Sequence, residues 1–175
     1  AITRARWSFE IFPCCRDHHF ANMILATDSI CETHEPGIGH PEQRARYSAV
    51  YDALSHAGIL SSSSIIGPRK LLPADLALAH HASYLELAER EIKAGYDHLS
   101  TGDTSIGLTS WSAALAAAGC AVAATEAVMR GDAKTAFCLV RPPGHHANAV
   151  RGMGFCILNN VALAARFARE RLGVR

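Results

Sequence analysis

The sequence has 175 residues, of which 49% are hydrophobic, so it is long enough to bury one core and predicts a single globular domain. Its 17 basic and 16 acidic side chains give a formal net charge of +1. This balance provides no broad field for nucleic acid or an anionic membrane. We find neither an apolar run approaching the roughly 20 residues that cross a bilayer nor a signal-peptide pattern, and therefore expect a cytoplasmic protein with no nucleic-acid or membrane partner.

The beginning of the chain shows no clean hydrophobic period. We predict that residues 1–22 are an extension outside the fold and that the domain occupies residues 23–175. Within the extension lies a cluster of potential metal ligands that are too close in sequence to form the separated knuckles of a zinc finger: Cys14, Cys15, His18 and His19. We expect no metal there.

From Met23 onward, strand-like and helix-like segments alternate, which predicts an α/β fold with a parallel sheet flanked by helices. A first helix is indicated by Pro41 near its start and Gly58 at its end. A short strand at residues 64–66 follows it. The next helix has capping-box spacing at Ser83 and Glu86 and ends near Gly95.

The second half of the chain continues this alternation. Residues 109–130 are rich in alanine and predict a helix that lies close against a sheet. Residues 136–140 predict a buried strand. A last helix is predicted over residues 161–172, ended by Gly173. Three cysteines in these apolar segments are expected to be reduced and packed: Cys120, Cys138 and Cys156.

The string Arg141-Pro142-Pro143-Gly144-His145-His146 directly follows the predicted buried strand. Ligands of α/β folds gather at the carboxyl ends of strands, and the prolines hold the imidazoles on a stiff loop. Histidine suits proton transfer near neutral pH, and a pair can divide the duties of base and acid. The loop position therefore makes the pair a candidate catalytic site.

A tandem pair of histidines is weak support when taken alone, because the chain has two others, His18-His19 and His80-His81. Neither of those lies in a context that suggests catalysis. On loop position alone, a catalytic and a structural role for the third pair stay equally open.

Four strings decide between these roles by their resemblance to known proteins: HPE at His40, TGDT at Thr101, RPPGHHA at Arg141 and GMGFCILNNVALAA at Gly152. In this order they resemble the histone deacetylase superfamily, in its class II and bacterial acetylpolyamine amidohydrolase branch. The similarity runs from about Ile24 to Leu172. It implies an arginase/deacetylase-like fold and zinc-dependent hydrolysis of an acylated amine, either acetyl-lysine or an acetylpolyamine.

The resemblance also implies roles for individual residues. His145 and His146 correspond to the paired active-site histidines, one a general base and the other its electrostatic or general-acid partner. Gly154 and Phe155 match the wall of the acyl channel, although Phe155 also suits a core position. Asp103 matches a rim carboxylate that grips substrate, although Gly-Asp also suits a turn.

Two further residues have weaker assignments. Arg46 corresponds to an arginine near the acetate exit route, or else it belongs to a solvated basic face together with Arg44. Cys156 is expected to pack, with redox sensitivity as a minor alternative.

By the same resemblance, the zinc ligands come from an Asp-x-His motif on a following strand and from a later aspartate. After the predicted strand at residues 136–140 the sequence contains no Asp-x-His, so we predict that this chain holds no metal ligand and is a deacetylase domain incomplete at its carboxyl end. The isolated chain should then be inactive, and the strand at residues 136–140 should present an open apolar edge. A complementing carboxyl-terminal half or a homo-oligomer would cover that edge.

Two other interpretations compete with a truncated enzyme. The chain is alternatively a non-catalytic remnant that binds acyl-amines or a partner through the channel wall. It is otherwise an unrelated α/β domain whose histidines are structural.

Overall fold

A computed structural model describes residues 23–175. Its elements in chain order are β1 (Met23–Thr27), a 3-10 turn (Ser29–Thr33), α1 (Arg44–His56), α2 (Ile59–Ser62), β2 (Ser64–Ile66), α3 (Pro73–Leu76), α4 (Ala82–Lys93), α5 (Ser110–Arg130), β3 (Thr135–Leu139) and α6 (Asn160–Leu172). The predicted extension at residues 1–22, with its Cys and His cluster, lies outside the described residues.

The three strands form a parallel sheet in the order β2-β1-β3. Leu25 of β1 pairs with Ile65 on one side and with Phe137 on the other. Helices flank this sheet, so the predicted α/β class is confirmed.

Helix α5 packs across the sheet with small side chains. Ala116 and Ala117 contact the cluster around Leu25, and Cys120 and Ala124 contact Ala26. A Cβ at Gly119 would lie 2.4 Å from the carbonyl oxygen of Arg69, so only glycine allows the segment after β2 to approach the helix this closely. The predicted alanine-rich helix is confirmed, and it packs closely against the sheet as expected.

The length of helix α5 contradicts one prediction from the sequence. Among the described helices, it alone is long and apolar enough, by length and composition, to cross a bilayer, whereas we predicted that no apolar run approaches this length. Many of its side chains are buried against the sheet and against α6, so the apolar composition is explained by a core position.

The prediction that β3 is a buried strand is wrong for the part of the chain that the structure describes. The strand exists, but Thr135, Ala136 and Phe137 are exposed, and the Phe137 exposure is 41%. Within residues 23–175, β3 pairs only with β1, so its other edge is open. An open edge with apolar residues was the expectation for an incomplete sheet.

The capping box predicted for α4 is also wrong. The helix begins at Ala82 with His81 as its N-cap, and no side chain caps it. The backbone N–H of His81 instead donates to the carbonyl oxygen of Ala149 at 2.8 Å. A distant loop therefore accepts the hydrogen bond of the N-cap backbone N–H.

The three cysteines predicted to be reduced are free thiols. Cys120 and Cys156 are buried free thiols, and Cys138 is a partly exposed one.

Candidate active site

A stiff loop follows β3 and carries the two histidines predicted to be catalytic. Pro142 and Pro143 lie within it, and both restrict the backbone. The exposed rings of His145 and His146 lie with their centroids 4.1 Å apart. The pair thus stands at the carboxyl end of a parallel strand, where α/β folds place their ligands.

The two rings border a cavity of about 610 Å³. Three other predicted site residues also line it, namely Arg46, Gly154 and Phe155. Most of the remaining lining is apolar: Pro41, Tyr47, Val50, Leu139, Val140 and Pro143. Apolar walls with a few convergent polar groups are typical of small-molecule sites.

The thiol of Cys156 holds the backbone of the histidine pair. The backbone N–H groups of His145 and His146 donate to its Sγ at 3.4 and 3.5 Å, and the thiol donates to the carbonyl oxygen of Gly154 at 3.4 Å. Cys156 is fully buried. This residue packs, as its apolar setting indicated, and it also connects the histidine loop to the turn at Gly154.

Gly154 and Phe155 form a cavity wall with an unusual backbone. Their φ angles are 57° and 67°, in the left-handed region that costs a residue with a side chain about 1–2 kcal/mol. A Cβ at Gly154 would lie 2.7 Å from Cδ2 of His146, so glycine leaves the space that this imidazole occupies. The Phe155 ring meets the His40 ring edge-on, with centroids 4.6 Å apart.

Asp103 is exposed at the rim and is tied to this wall. Its Oδ1 accepts a hydrogen bond from the backbone N–H of Gly154 at 3.0 Å. The neighbouring Gly102 permits the approach, since a Cβ there would lie 2.4 Å from the carbonyl oxygen of Gly152. The role of Asp103 in binding substrate stays a prediction. The structure shows in addition that its carboxylate is hydrogen-bonded to the backbone of Gly154 in the cavity wall.

The two arginines of α1 separate into different surroundings. Arg44 forms an exposed ion pair with Glu32 at 2.9 Å, whereas Arg46 lines the cavity. Arg46 is itself exposed, and its assignment to the acetate exit route stays a prediction.

The second histidine pair has a structural role in its first member. His80 is buried, its Nδ1 donates to the carbonyl oxygen of Asn148 at 3.0 Å, and its Nε2 accepts from the backbone N–H of Asn159 at 2.9 Å. Burial lowers the pKa of His80, which keeps this bridging ring neutral. His81 is exposed, and His18-His19 lies outside the described residues.

Sequence reasoning missed three buried polar residues beside the cavity: His34, Glu42 and Arg141. Arg141 and Glu42 form an ion pair and both line the cavity. The available signal was a charged residue placed directly after an apolar strand, where an unpaired charge would be costly.

Across residues 23–175, no three His, Cys, Asp or Glu side chains converge as metal ligands. A catalytic zinc takes about three protein ligands, and the predicted lack of such ligands in this chain stays a prediction.

The fit between Gly154 and His146 makes a testable prediction. Gly154→Ala is expected to displace the His146 ring, seen as a shift of its ring-proton NMR resonances, because the added Cβ overlaps the imidazole. Gly131→Ala is the matched control: its φ of 84° carries similar strain, but no atom lies within 4 Å of the added Cβ. Unchanged His146 resonances in folded Gly154→Ala would contradict this account of the wall.

Comparison with known proteins agrees with this fold. The histone deacetylase domain matches residues 40–175. A probable deacetylase of Archaeoglobus fulgidus is 38% identical over 136 residues, covering 77% of this chain and 37% of that protein. The polyamine deacetylase HDAC10 of Danio rerio is 29% identical over 152 residues, covering 84% of this chain and 21% of that protein. The crystal structure of the HDA15 HD domain superposes with a TM-score of 0.79 at 30% identity, covering 85% of this chain and 44% of that one.

The described residues thus form a parallel α/β domain with a histidine pair at a strand end. The chain belongs to the histone deacetylase domain family. It spans less than half the length of each of these relatives.

Proposed function

We propose that this chain supplies the histidine-bearing part of a zinc-dependent deacetylase that hydrolyses acetyl-lysine or an acetylpolyamine. One observation carries the proposal: His145, His146, Gly154 and Phe155 border a single cavity in a chain of the deacetylase family. We interpret residues 23–175 as the amino-terminal part of the catalytic domain.

The short distance between the two histidine rings supports a division of proton transfer between them. Their centroids lie 4.1 Å apart, so both imidazoles can face the same reacting group. One ring takes a proton from the attacking water, and the other supplies a proton to the leaving amine. The backbone bonds to Cys156 hold both residues in place for this exchange.

The Phe155 wall suits the aliphatic stem of an acylated amine. An aromatic face gains free energy from apolar contact along such a stem. Asp103 at the rim would attract the cationic or amide part of the substrate that remains outside the cavity.

Zinc, when bound, polarises the amide carbonyl and activates water. We assign its ligands to a part of the deacetylase domain outside the described residues, supplied by the same polypeptide or by a complementing one. The open edge of β3 is where this part would pair, since its backbone groups lack a neighbouring strand within residues 23–175.

A second candidate is a non-catalytic module that binds acyl-amines. It is favoured by the same absence of a ligand cluster among residues 23–175, beside an intact apolar wall.

Zinc content and deacetylation test these candidates. The 175-residue chain is expected to bind no stoichiometric zinc and to deacetylate neither an acetyl-lysine peptide nor an acetylpolyamine. Fusion to the remainder of the Archaeoglobus fulgidus domain, which we term the completed domain, is expected to restore both properties. Stoichiometric zinc in the short chain would contradict the proposed ligand assignment, and tight probe binding without zinc or turnover would favour the binding module.

A further inference from the structure

A buried ion pair lies beside the candidate active site and takes no part in the proton transfers above. Arg141 Nε donates to Oε1 of Glu42 and Nη2 donates to Oε2, both at 2.7 Å. The two side chains are only 4% and 6% exposed. Because the guanidinium is planar, this two-point contact sets both the distance and the relative orientation of the groups.

Stability alone is a poor explanation for the pair. Two charges lose their hydration on burial, and apolar residues of similar volume often give an equally stable fold. Arg141 Nη1 moreover has no hydrogen-bond partner among the described residues, so the charged groups are incompletely satisfied. What a buried ion pair adds beyond stability is a fixed relative position of the two segments that carry the charges.

Arg141 connects the ion pair to the loop that carries His145 and His146. Arg141 begins the loop, and Pro142 and Pro143 restrict the backbone between it and His145. A displacement of Arg141 is therefore transmitted to the imidazoles instead of being absorbed by a flexible chain.

Glu42 connects the ion pair to the cavity wall at Phe155, through His40. The backbone N–H of Glu42 donates to Nδ1 of His40 at 3.0 Å, and the His40 ring meets Phe155 edge-on. His34 Nε2 lies 3.5 Å from Oε2 of Glu42, while its Nδ1 is hydrogen-bonded to Ser110 at the start of α5. Glu42 is thus the junction between the histidine loop, the wall and the core helix.

We propose that Glu42 and Arg141 are positioning residues. Their ion pair fixes the position of His145 and His146 relative to the cavity wall that Gly154 and Phe155 form. Both residues line the cavity, and the role that we assign to them is exerted through the loop and through His40. The catalytic meaning of this role rests on the proposed function, whereas the positioning itself is measurable without turnover.

NMR of the 175-residue protein tests the role with two variants. Glu42→Gln keeps the side-chain shape and removes its charge, whereas Arg141→Lys keeps the charge and removes the planar fork. Each is expected to shift the ring-proton resonances of His145, His146 and Phe155 and to move the pH midpoints of the two histidines. The resonances of the buried Tyr84 ring should stay in place and report an intact core.

Glu32→Gln is the matched control, because it removes the exposed pair with Arg44 and should move none of the site resonances. If a single variant does not fold, Glu42→Leu combined with Arg141→Met removes both charges at similar volume and is expected to produce the same shifts. Folded variants with unchanged His145, His146 and Phe155 resonances would overturn the proposal. Shifted resonances alongside an inactive completed domain would support the positioning role and reject the proposed function.

Discussion

Replacing His145 or His146 by asparagine in the completed domain is expected to lower deacetylation by about 10²–10⁴-fold. Asparagine preserves polarity but cannot exchange a proton near neutral pH. We propose that the two rings, 4.1 Å apart, act as one unit, and the double variant should then be little worse than the more damaging single one. The measurement is kcat/KM for an acetyl-lysine peptide and for an acetylpolyamine.

His81→Asn provides the matched control for these variants. His81 also belongs to a tandem pair and is exposed, but it borders a different cavity. Its replacement should leave kcat/KM unchanged. Unaltered turnover after replacement of His145 and His146 would instead favour an α/β domain with structural histidines.

Acidification is expected to destabilise the 175-residue protein by about 3 kcal/mol between about pH 6.5 and 4 through His34 alone. Burial lowers the pKa of His34 to about 4, and the Arg141 cation contributes in the same direction, although Glu42 opposes both. The unfolded chain binds this proton from about pH 6.5, whereas the folded protein does not. Stability is therefore complete above about pH 6.5 and falls as the pH approaches the folded pKa. His80, with its pKa also lowered by burial, adds a loss of the same sign.

Urea unfolding across this pH range measures the effect. His34→Gln removes the titrating ring and is expected to flatten the pH dependence relative to the unsubstituted protein, even if its stability at neutral pH is lower. His56→Gln changes an exposed histidine and should leave the slope intact. Equal slopes for His34→Gln and the unsubstituted protein would show that His34 does not carry the acid sensitivity.

Local features of the sequence predicted most elements of the fold. The alanine-rich segment is α5, the short strand is β2, and the last helix ends at Gly173, whose φ of 72° suits glycine. Each of these depends on near neighbours, through side-chain size, hydrophobic period or capping. The capping box predicted for α4 is wrong, and the N-cap residue His81 instead makes a backbone hydrogen bond to Ala149, far away along the chain.

The sequence by itself determined the α/β alternation, the stiff histidine loop and, through its motifs, the deacetylase resemblance. Only the tertiary structure decided that Asp103 binds the turn of Gly154 and that Glu42 is buried against Arg141. The physical reason is the separation along the sequence. Helix propensity and capping depend on residues a few positions apart, whereas these two contacts join residues 51 and 99 positions apart. Such pairings depend on how the sheet and helices assemble, which local patterns do not specify.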